Sequence, residues 1–334
     1  MSILANIYSN LSFLERNFFD FFYFLKYRPK AKVISIGNLS MGGTGKTPVL
    51  FEIIKELQEK KPDLKLMVLT RGYRCPWEKS FYELYGKGEH PFELTDEALM
   101  LNNRFPDIPV MVGKNRHHAA ILGEMRYQPD IILLDDGFQY RRLYKDFDFI
   151  LWDAMSTPDE ARLIPDGRLR EPIERLKQAN VILLTRCESA SKEQIEFWIN
   201  WLSQNAPKIP IIKAQTLCEG IFKYDGTRAN IDKKAGLLAF SAIGNPKSFY
   251  EQLKQAGYTI LNKKEFRDHH RFTEKELEEL TKEAQSKNLA LVCTEKDAIK
   301  IKQKYAEKMD LNILRIKTKP LSKDSFISFI SNLT

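Results

Sequence analysis

Two textures of apolar residues alternate along this chain. Short unbroken runs at 33–36, 66–70, 110–112, 131–134, 148–152, 181–185, 236–240 and 289–293 read as strands covered on both faces. Between them, the stretches 48–60, 96–101, 116–127 and 246–256 place apolar residues at helical spacing, and a C-terminal helix is expected from 323. A polar region at 81–94 has hairpin character. Strands that alternate with helices predict an α/β fold with a parallel sheet. A Pro- and Gly-rich crossing at 163–172 falls early in the second half, so two domains are expected, 1–150 and 151–334, with the C-terminal helix packing back on the first. No internal repeat and no low-complexity tract interrupts this order.

The first predicted strand runs directly into Gly37-Asn-Leu-Ser-Met-Gly-Gly-Thr-Gly-Lys-Thr-Pro48. A glycine-rich turn between a strand and a helix lets consecutive N–H groups point inward around an anion. Lys46 adds a mobile positive charge, Thr47 a hydroxyl for Mg2+, and Pro48 lies in the first helical turn, where its missing N–H costs nothing. The P-loop pattern G-x-x-x-x-G-K-[ST] is met except at Ser40, where its first Gly belongs. ATP is therefore expected on Ser40, Met41, Gly42, Gly43, Thr44, Gly45, Lys46 and Thr47. The run 131–136 ends in Asp135 and Asp136, a placement that suits carboxylates beside Mg2+ and the γ-phosphate. Which of the two contacts metal stays open. The fold expected is a P-loop NTPase-like α/β/α sandwich followed by a second, smaller α/β/α domain.

Charge and the N-terminus add a second theme. Lys and Arg number 52 against 44 Asp and Glu, a net charge of +8, which suits an anionic partner. Residues 3–25 have the spacing of a Phe-rich amphipathic helix, interrupted by Glu15, Arg16 and Asp20 and followed by Lys26, Arg28, Lys30 and Lys32. It lacks the continuous apolar length of a membrane span and the cleavage site of a signal peptide. A lipid headgroup layer and the protein's own core both accommodate such a helix. Cys75, Cys187, Cys218 and Cys293 are scattered without metal-ligand spacing, which fits a reducing cytoplasm. The loop Arg267-Asp-His-His-Arg-Phe272 puts an acid beside two imidazoles, whereas His117-His118 on the helical stretch reads as an ordinary surface pair.

Gly37-Asn-Leu-Ser40 with Gly42-Gly-Thr-Gly-Lys-Thr47, then Thr70-Arg-Gly-Tyr73, Asp135-Asp-Gly-Phe-Gln139, Leu169-Arg-Glu-Pro172, Phe240-Ser-Ala-Ile-Gly-Asn-Pro246, Asp268-His-His-Arg-Phe272 and Thr294-Glu-Lys-Asp297 occur in one order. As a set they closely resemble the tetraacyldisaccharide 4'-kinase family of lipid A synthesis. The resemblance implies transfer of the γ-phosphate of ATP, with Mg2+, to the 4'-hydroxyl of a tetraacylated glucosamine disaccharide 1-phosphate. It also implies two α/β/α layers joined by a two-stranded linker, and peripheral attachment to the cytoplasmic face of the bacterial inner membrane through residues 1–32. By the same resemblance Lys46 is the phosphate lysine, Thr47, Asp136 and Glu171 serve the metal, and Asp135 is a catalytic carboxylate. Asp96 and His269 match a catalytic pair, and Arg71, Arg116 and Arg170 match arginines that meet substrate phosphate. An imidazole oriented by a carboxylate is suited to take the proton of a sugar hydroxyl at neutral pH. Two departures stand out. Thr95-Asp-Glu-Ala98 replaces the usual Gly-Asp-Glu-Pro, and Tyr140 replaces a common His after Gln139.

Three other classes are less well matched. A membrane-bound P-loop ATPase switch without a small-molecule acceptor is the main alternative, but Met41 stands where its cross-dimer lysine belongs. Thr294-Glu-Lys-Asp297 has the wrong order for the base-reading N/T-K-x-D of a GTPase. No nucleic-acid motif accompanies the positive charge, and no obligate protein partner is expected.

Overall fold

The computed structural model describes residues 26–73, 75–86, 91, 93–233, 235–322 and 326–331. The predicted N-terminal helix at 3–25 lies outside the described residues. The chain forms two compact units: one runs to Thr216 and resumes at Thr318, and the other is Leu217–Lys317. The chain leaves the first unit within strand β8 (Ile211–Lys223) and returns within β12 (Asn312–Pro320). Position 150, where a boundary was expected, falls inside β6 (Phe147–Asp153). That strand pairs with β1 (Lys32–Asn38) on one side and β7 (Val181–Thr185) on the other, so the first unit extends well past it.

In the first unit the strand order is β8-β7-β6-β1-β5-β2-β4-β3, where β2 is Leu66–Thr70, β3 Tyr82–Leu84, β4 Val110–Val112 and β5 Ile131–Asp135. These pairings are parallel except β3 with β4. The period of two along each strand sends side chains to both faces of the sheet. Ile34 and Ile36 pack with helix α1 (Lys46–Lys60) and α2 (Asp96–Arg104). Val33, Met67, Leu69 and Leu134 pack with α3 (Arg116–Tyr127), and Trp152 and Leu184 with α4 (Lys192–Asn205). Each fully buried aliphatic side chain contributes about 1.5–3 kcal/mol, which is why the strands tolerate so few polar residues. The parallel sheet predicted from the unbroken apolar runs is present, and of the hairpin expected at 81–94 only part lies among the described residues. Its one described strand, β3, pairs instead with β4.

Of the C-terminal α-helix expected from 323, the described residues form a 3-10 turn, Phe326–Ile330. Phe326, Ile327 and Ile330 join the core of α1, and the Ile327 amide donates to the Glu56 carboxylate at 3.0 Å.

The second unit has the order β10-β9-β11-β12, all parallel, with β9 Gly236–Ser241, β10 Thr259–Glu265 and β11 Ala290–Thr294. Helices α5 (Pro246–Gln255), α6 (Glu274–Ser286), α7 (Glu295–Ala298) and α8 (Gln303–Lys308) complete it. Among the described residues no helix is long and apolar enough to cross a membrane.

Candidate active site

The glycine-rich loop leaves the carboxyl end of β1, the strand flanked by β5 and β6, and enters α1 at Lys46. Gly45 caps that helix at φ 85° and Gly42 sits at φ 109°, conformations that a Cβ would strain. A Cβ placed at Gly42, Gly43 or Gly45 would meet nothing within 4 Å, so the hollow beside the loop is open. The loop's first limb is fastened by backbone bonds, Met41 N to Arg168 O at 2.7 Å and Arg170 N to Leu39 O at 2.7 Å. The donor set and the open hollow fit the phosphates of a nucleotide at the positive end of α1.

Four polar groups converge at the loop's far end. Lys46 Nζ donates to Asn38 Oδ1 at 3.1 Å and lies 3.5 Å from Asp136 Oδ1. Arg170 grips Asp136 with both terminal nitrogens, at 3.1 and 3.0 Å, and also reaches Asn38 Oδ1 at 2.7 Å. Burial pushes the Asp136 carboxyl upward, but Lys46 and Arg170 outweigh it and hold it below the usual carboxylate range. Next to it, burial and then the Asp136 charge raise Asp135 to about 6, while Thr70 Oγ1 donates to its Oδ2 at 3.1 Å. The two adjacent carboxylates thus differ sharply in proton affinity.

Their turn is built from below. Asp136 adopts φ 46°, a left-handed conformation that Asp tolerates, and Gly137 follows because a Cβ there would lie 2.5 Å from Leu134 Cγ. Arg116 is 5% exposed and donates from Nη1 to the carbonyls of Asp135 and Asp136 at 3.0 and 2.9 Å. Its guanidinium lies 4.3 Å from the Tyr140 ring centre, and burial lowers its pKa to about 10. Tyr140 in turn accepts from the His117 amide at 3.0 Å, and the His117 ring contacts the same oxygen. Gln139 donates to the Asn38 carbonyl at 2.7 Å, tying β1 to the Asp-Asp-Gly turn.

The remaining expected site residues are more dispersed. Glu171 is buried, with Arg141 at 3.1 Å and Arg175 at 2.7 Å on its two oxygens. Arg71 pairs with Glu78 at 2.8 Å and lies over the Tyr73 ring. Asp96 opens α2 behind the N-cap Thr95, whose hydroxyl accepts from Ala98 N at 3.4 Å. His269, exposed at φ 60° and 3.9 Å from Asp268, belongs to the second unit, whereas Asp96 belongs to the first. His270 points elsewhere: it bonds Glu276 at 3.0 Å and stacks on Phe266. Sequence reasoning missed Asn38 and Gln139 as network members, although both stand in the quoted motifs. It also missed Arg141 and Arg175, which carry no local signal.

Mg2+ typically takes one or two carboxylates with phosphate oxygens and water, so a cage of three protein acids is unnecessary. No cluster of three potential metal-ligating side chains occurs among the described residues. Thr47 at the loop and Asp135 and Asp136 on the neighbouring strand end fit that sparser requirement.

A family profile described as tetraacyldisaccharide-1-P 4'-kinase, LpxK, matches residues 1–334. A protein of Halothermothrix orenii named tetraacyldisaccharide 4'-kinase is 31% identical, covering 94% of this chain and 85% of that one. One of the same name from Desulfotalea psychrophila is 31% identical over 94% of this chain and 91% of its own. The fold is shared with a crystal structure of the "apo" form of LpxK from Aquifex aeolicus in complex with ATP, at TM-score 0.77 and 24% identity, covering 99% of this chain and 97% of that one. With its profile matched from end to end and such relatives along nearly its whole length, this chain belongs to the tetraacyldisaccharide 4'-kinase family.

Proposed function

We propose that this protein transfers the γ-phosphate of ATP to the 4'-hydroxyl of a tetraacylated glucosamine disaccharide 1-phosphate. The observation that carries the reading is the convergence of Lys46, Arg170 and Asn38 on Asp136 at the end of the phosphate loop, in a chain of this family. Lys46 and Arg170 bring positive charge to where charge moves during phosphoryl transfer, and they are already oriented by Asn38 and Asp136. Thr47 with Asp135 and Asp136 would hold Mg2+, which supplies further charge neutralisation when bound. Glu171, expected at the metal, has both oxygens in ion pairs, so ligating a cation would require it to release an arginine.

His269, with Asp96 as its orienting acid, is proposed to take the proton of the acceptor hydroxyl. Its exposure leaves it accessible to a substrate, whereas the Glu276 bond and Phe266 stacking commit His270 to the local fold. Arg71 and Arg170 are the arginines proposed to meet phosphate, while Arg116 lies buried beneath the turn. The switch reading is not favoured, since the relatives are named as kinases and Met41 supplies no cross-dimer charge.

The test is direct. Purified protein with Mg-ATP and the disaccharide 1-phosphate lipid in detergent should yield a product one phosphate heavier by mass spectrometry, and Lys46→Ala should abolish it. No product from folded wild-type protein refutes the reading. Peripheral attachment at the cytoplasmic face of the inner membrane is proposed on the basic run Lys26, Arg28, Lys30 and Lys32 and the amphipathic pattern before it. Deleting residues 1–25 should weaken binding to anionic vesicles and raise KM for lipid more than for ATP. An unchanged vesicle affinity refutes it.

A further inference from the structure

Two motifs of the second unit, Phe240-Ser-Ala-Ile-Gly-Asn-Pro246 and Thr294-Glu-Lys-Asp297, meet at one residue, Ala242. Strands β10, β9 and β11 lie side by side, and Ala242 is the first residue beyond the carboxyl end of the middle one. Beyond the end of β11, Asp297 Oδ1 accepts from the Ala242 amide at 3.1 Å. Lys300 Nζ donates to the Ala242 carbonyl at 3.4 Å and to Asp297 Oδ1 at 3.2 Å. Thr294, the N-cap of α7, donates from Oγ1 to the other Asp297 oxygen at 2.6 Å. Asp297 is fully buried and Lys300 nearly so. In the segment that follows β10, the His269 amide donates to the same Ala242 carbonyl at 3.1 Å, and the Phe266 amide to the Ser241 carbonyl at 2.9 Å.

His269 stands at φ 60°, a left-handed conformation that is costly for a residue with a Cβ and persists only where its neighbours over-determine it. They do so from both ends. Its own amide is tied to Ala242, and the following amide, that of His270, closes the turn onto the Arg267 carbonyl at 2.9 Å. The His270 ring is fixed in turn by Glu276 and Phe266, while the His269 imidazole stays exposed. A buried ion pair adds little net stability over apolar side chains of similar volume, because desolvation offsets the attraction. What Asp297 and Lys300 supply is a fixed place for both backbone polar groups of Ala242.

We propose that Asp297 and Lys300 are positioning residues for phosphoryl transfer: they hold Ala242 so that its carbonyl sets the backbone, and through it the imidazole, of His269. This rests on the reading of His269 as the base. A general base must meet its proton within hydrogen-bond reach, and a misplacement of about 1 Å can cost about 100-fold in rate. The two motifs then serve the same step as the imidazole without touching substrate.

The test compares two double variants of the full chain, Asp297→Ala/Lys300→Met and Asp297→Asn/Lys300→Met. Neither strands a buried charge, and they differ in whether residue 297 can accept from the Ala242 amide. The first should lower kcat by about 100-fold with KM for ATP and for lipid within about twofold, and the second should recover about tenfold of that loss. Hydrogen exchange at the His269 amide should be about tenfold faster in the first than in wild type, since its acceptor is no longer held. Placed on His269→Ala, the first should cost no more than about twofold further, because it acts through the missing imidazole. Normal kcat in His269→Ala alone refutes the base reading, and the exchange rates then still decide whether the pair holds the turn. Equal kcat in the two doubles, unchanged exchange at His269, or a full further loss on His269→Ala overturns the proposal. So does a wild-type His269 amide that exchanges as fast as one in an unfolded chain, a measurement that needs no variant to fold.

Discussion

Replacing Arg116 with Met keeps most of the stem's volume and removes the guanidinium that holds the Asp135–Asp136 turn. Two hydrogen bonds to backbone carbonyls are lost, at 3.0 and 2.9 Å, together with stacking on Tyr140. With its pKa brought down to about 10 the group is still protonated at neutral pH, so each bond is charge-assisted and contributes about 1.5–3 kcal/mol. Removing a buried charge also relieves a desolvation penalty of several kcal/mol. The balance is a net loss of about 2–4 kcal/mol, because the carbonyls are left without a donor and Asp136 has one cation fewer, keeping Lys46 and Arg170. For a unit of this size that corresponds to a Tm lower by roughly 5–15 °C. Without the clamp Asp136 is no longer held at φ 46°, and displacement of the carboxylates should lower kcat by roughly 100-fold. KM for the lipid should stay within about twofold, since a buried arginine contributes no surface contact to bind it. Differential scanning fluorimetry and steady-state kinetics give the readings. An unchanged Tm with a raised lipid KM would make Arg116 a substrate-phosphate anchor and refute the reasoning.

Asp96→Ala and His269→Ala should each lower kcat by roughly 100- to 10,000-fold, with the double variant little worse than the worse single; fully multiplicative losses in initial-rate assays would separate the two residues. His270→Ala should lower the melting temperature of the second unit through loss of the Glu276 bond and leave kcat near wild type, and the reverse pattern would exchange the roles of the two imidazoles. Lys287 first, and then Lys264, hold Glu283 down to about 2 from the ordinary 4.5. A depressed carboxylate contributes stability above its unfolded pKa and loses it as pH falls through the folded one, so the contribution should fade between pH 4.5 and about 2. Glu283→Gln should flatten that part of the acid limb in denaturant titrations, and an identical limb would exclude the linkage.

Local signals made part of this protein legible. The helix at 116–127 and the strands at 110–112 and 181–185 agree with the structure residue for residue, because the strands are buried on both faces along their whole length and the helix turns its buried residues to one core. Other elements escaped notice. Strand β10, Thr259–Glu265, is mostly polar and half-exposed, so no apolar run announces it. Helices α4 and α6 carry capping boxes at Ser191–Gln194 and Thr273–Glu276, signals that were present in the sequence but went unread. Within 81–94 the described strand β3 takes β4 as its partner, which lies beyond α2 in the chain, a pairing that no local signal names.

The phosphate loop, its lysine and the paired carboxylates after a buried strand were fixed by sequence alone, since each needs only neighbouring residues in a set order. Tertiary structure decided which side chains meet them. Arg170 reaches Asp136 across 34 positions, Arg186 reaches Gly43 across 143, and Arg116 spans 19 to turn from an expected phosphate contact into the clamp of a turn. Such pairings follow from strand order, which puts β7 and β5 on opposite sides of β1. Composition and periodicity report how much of a residue is buried, whereas the partner of a buried charge is set by the path of the backbone between them.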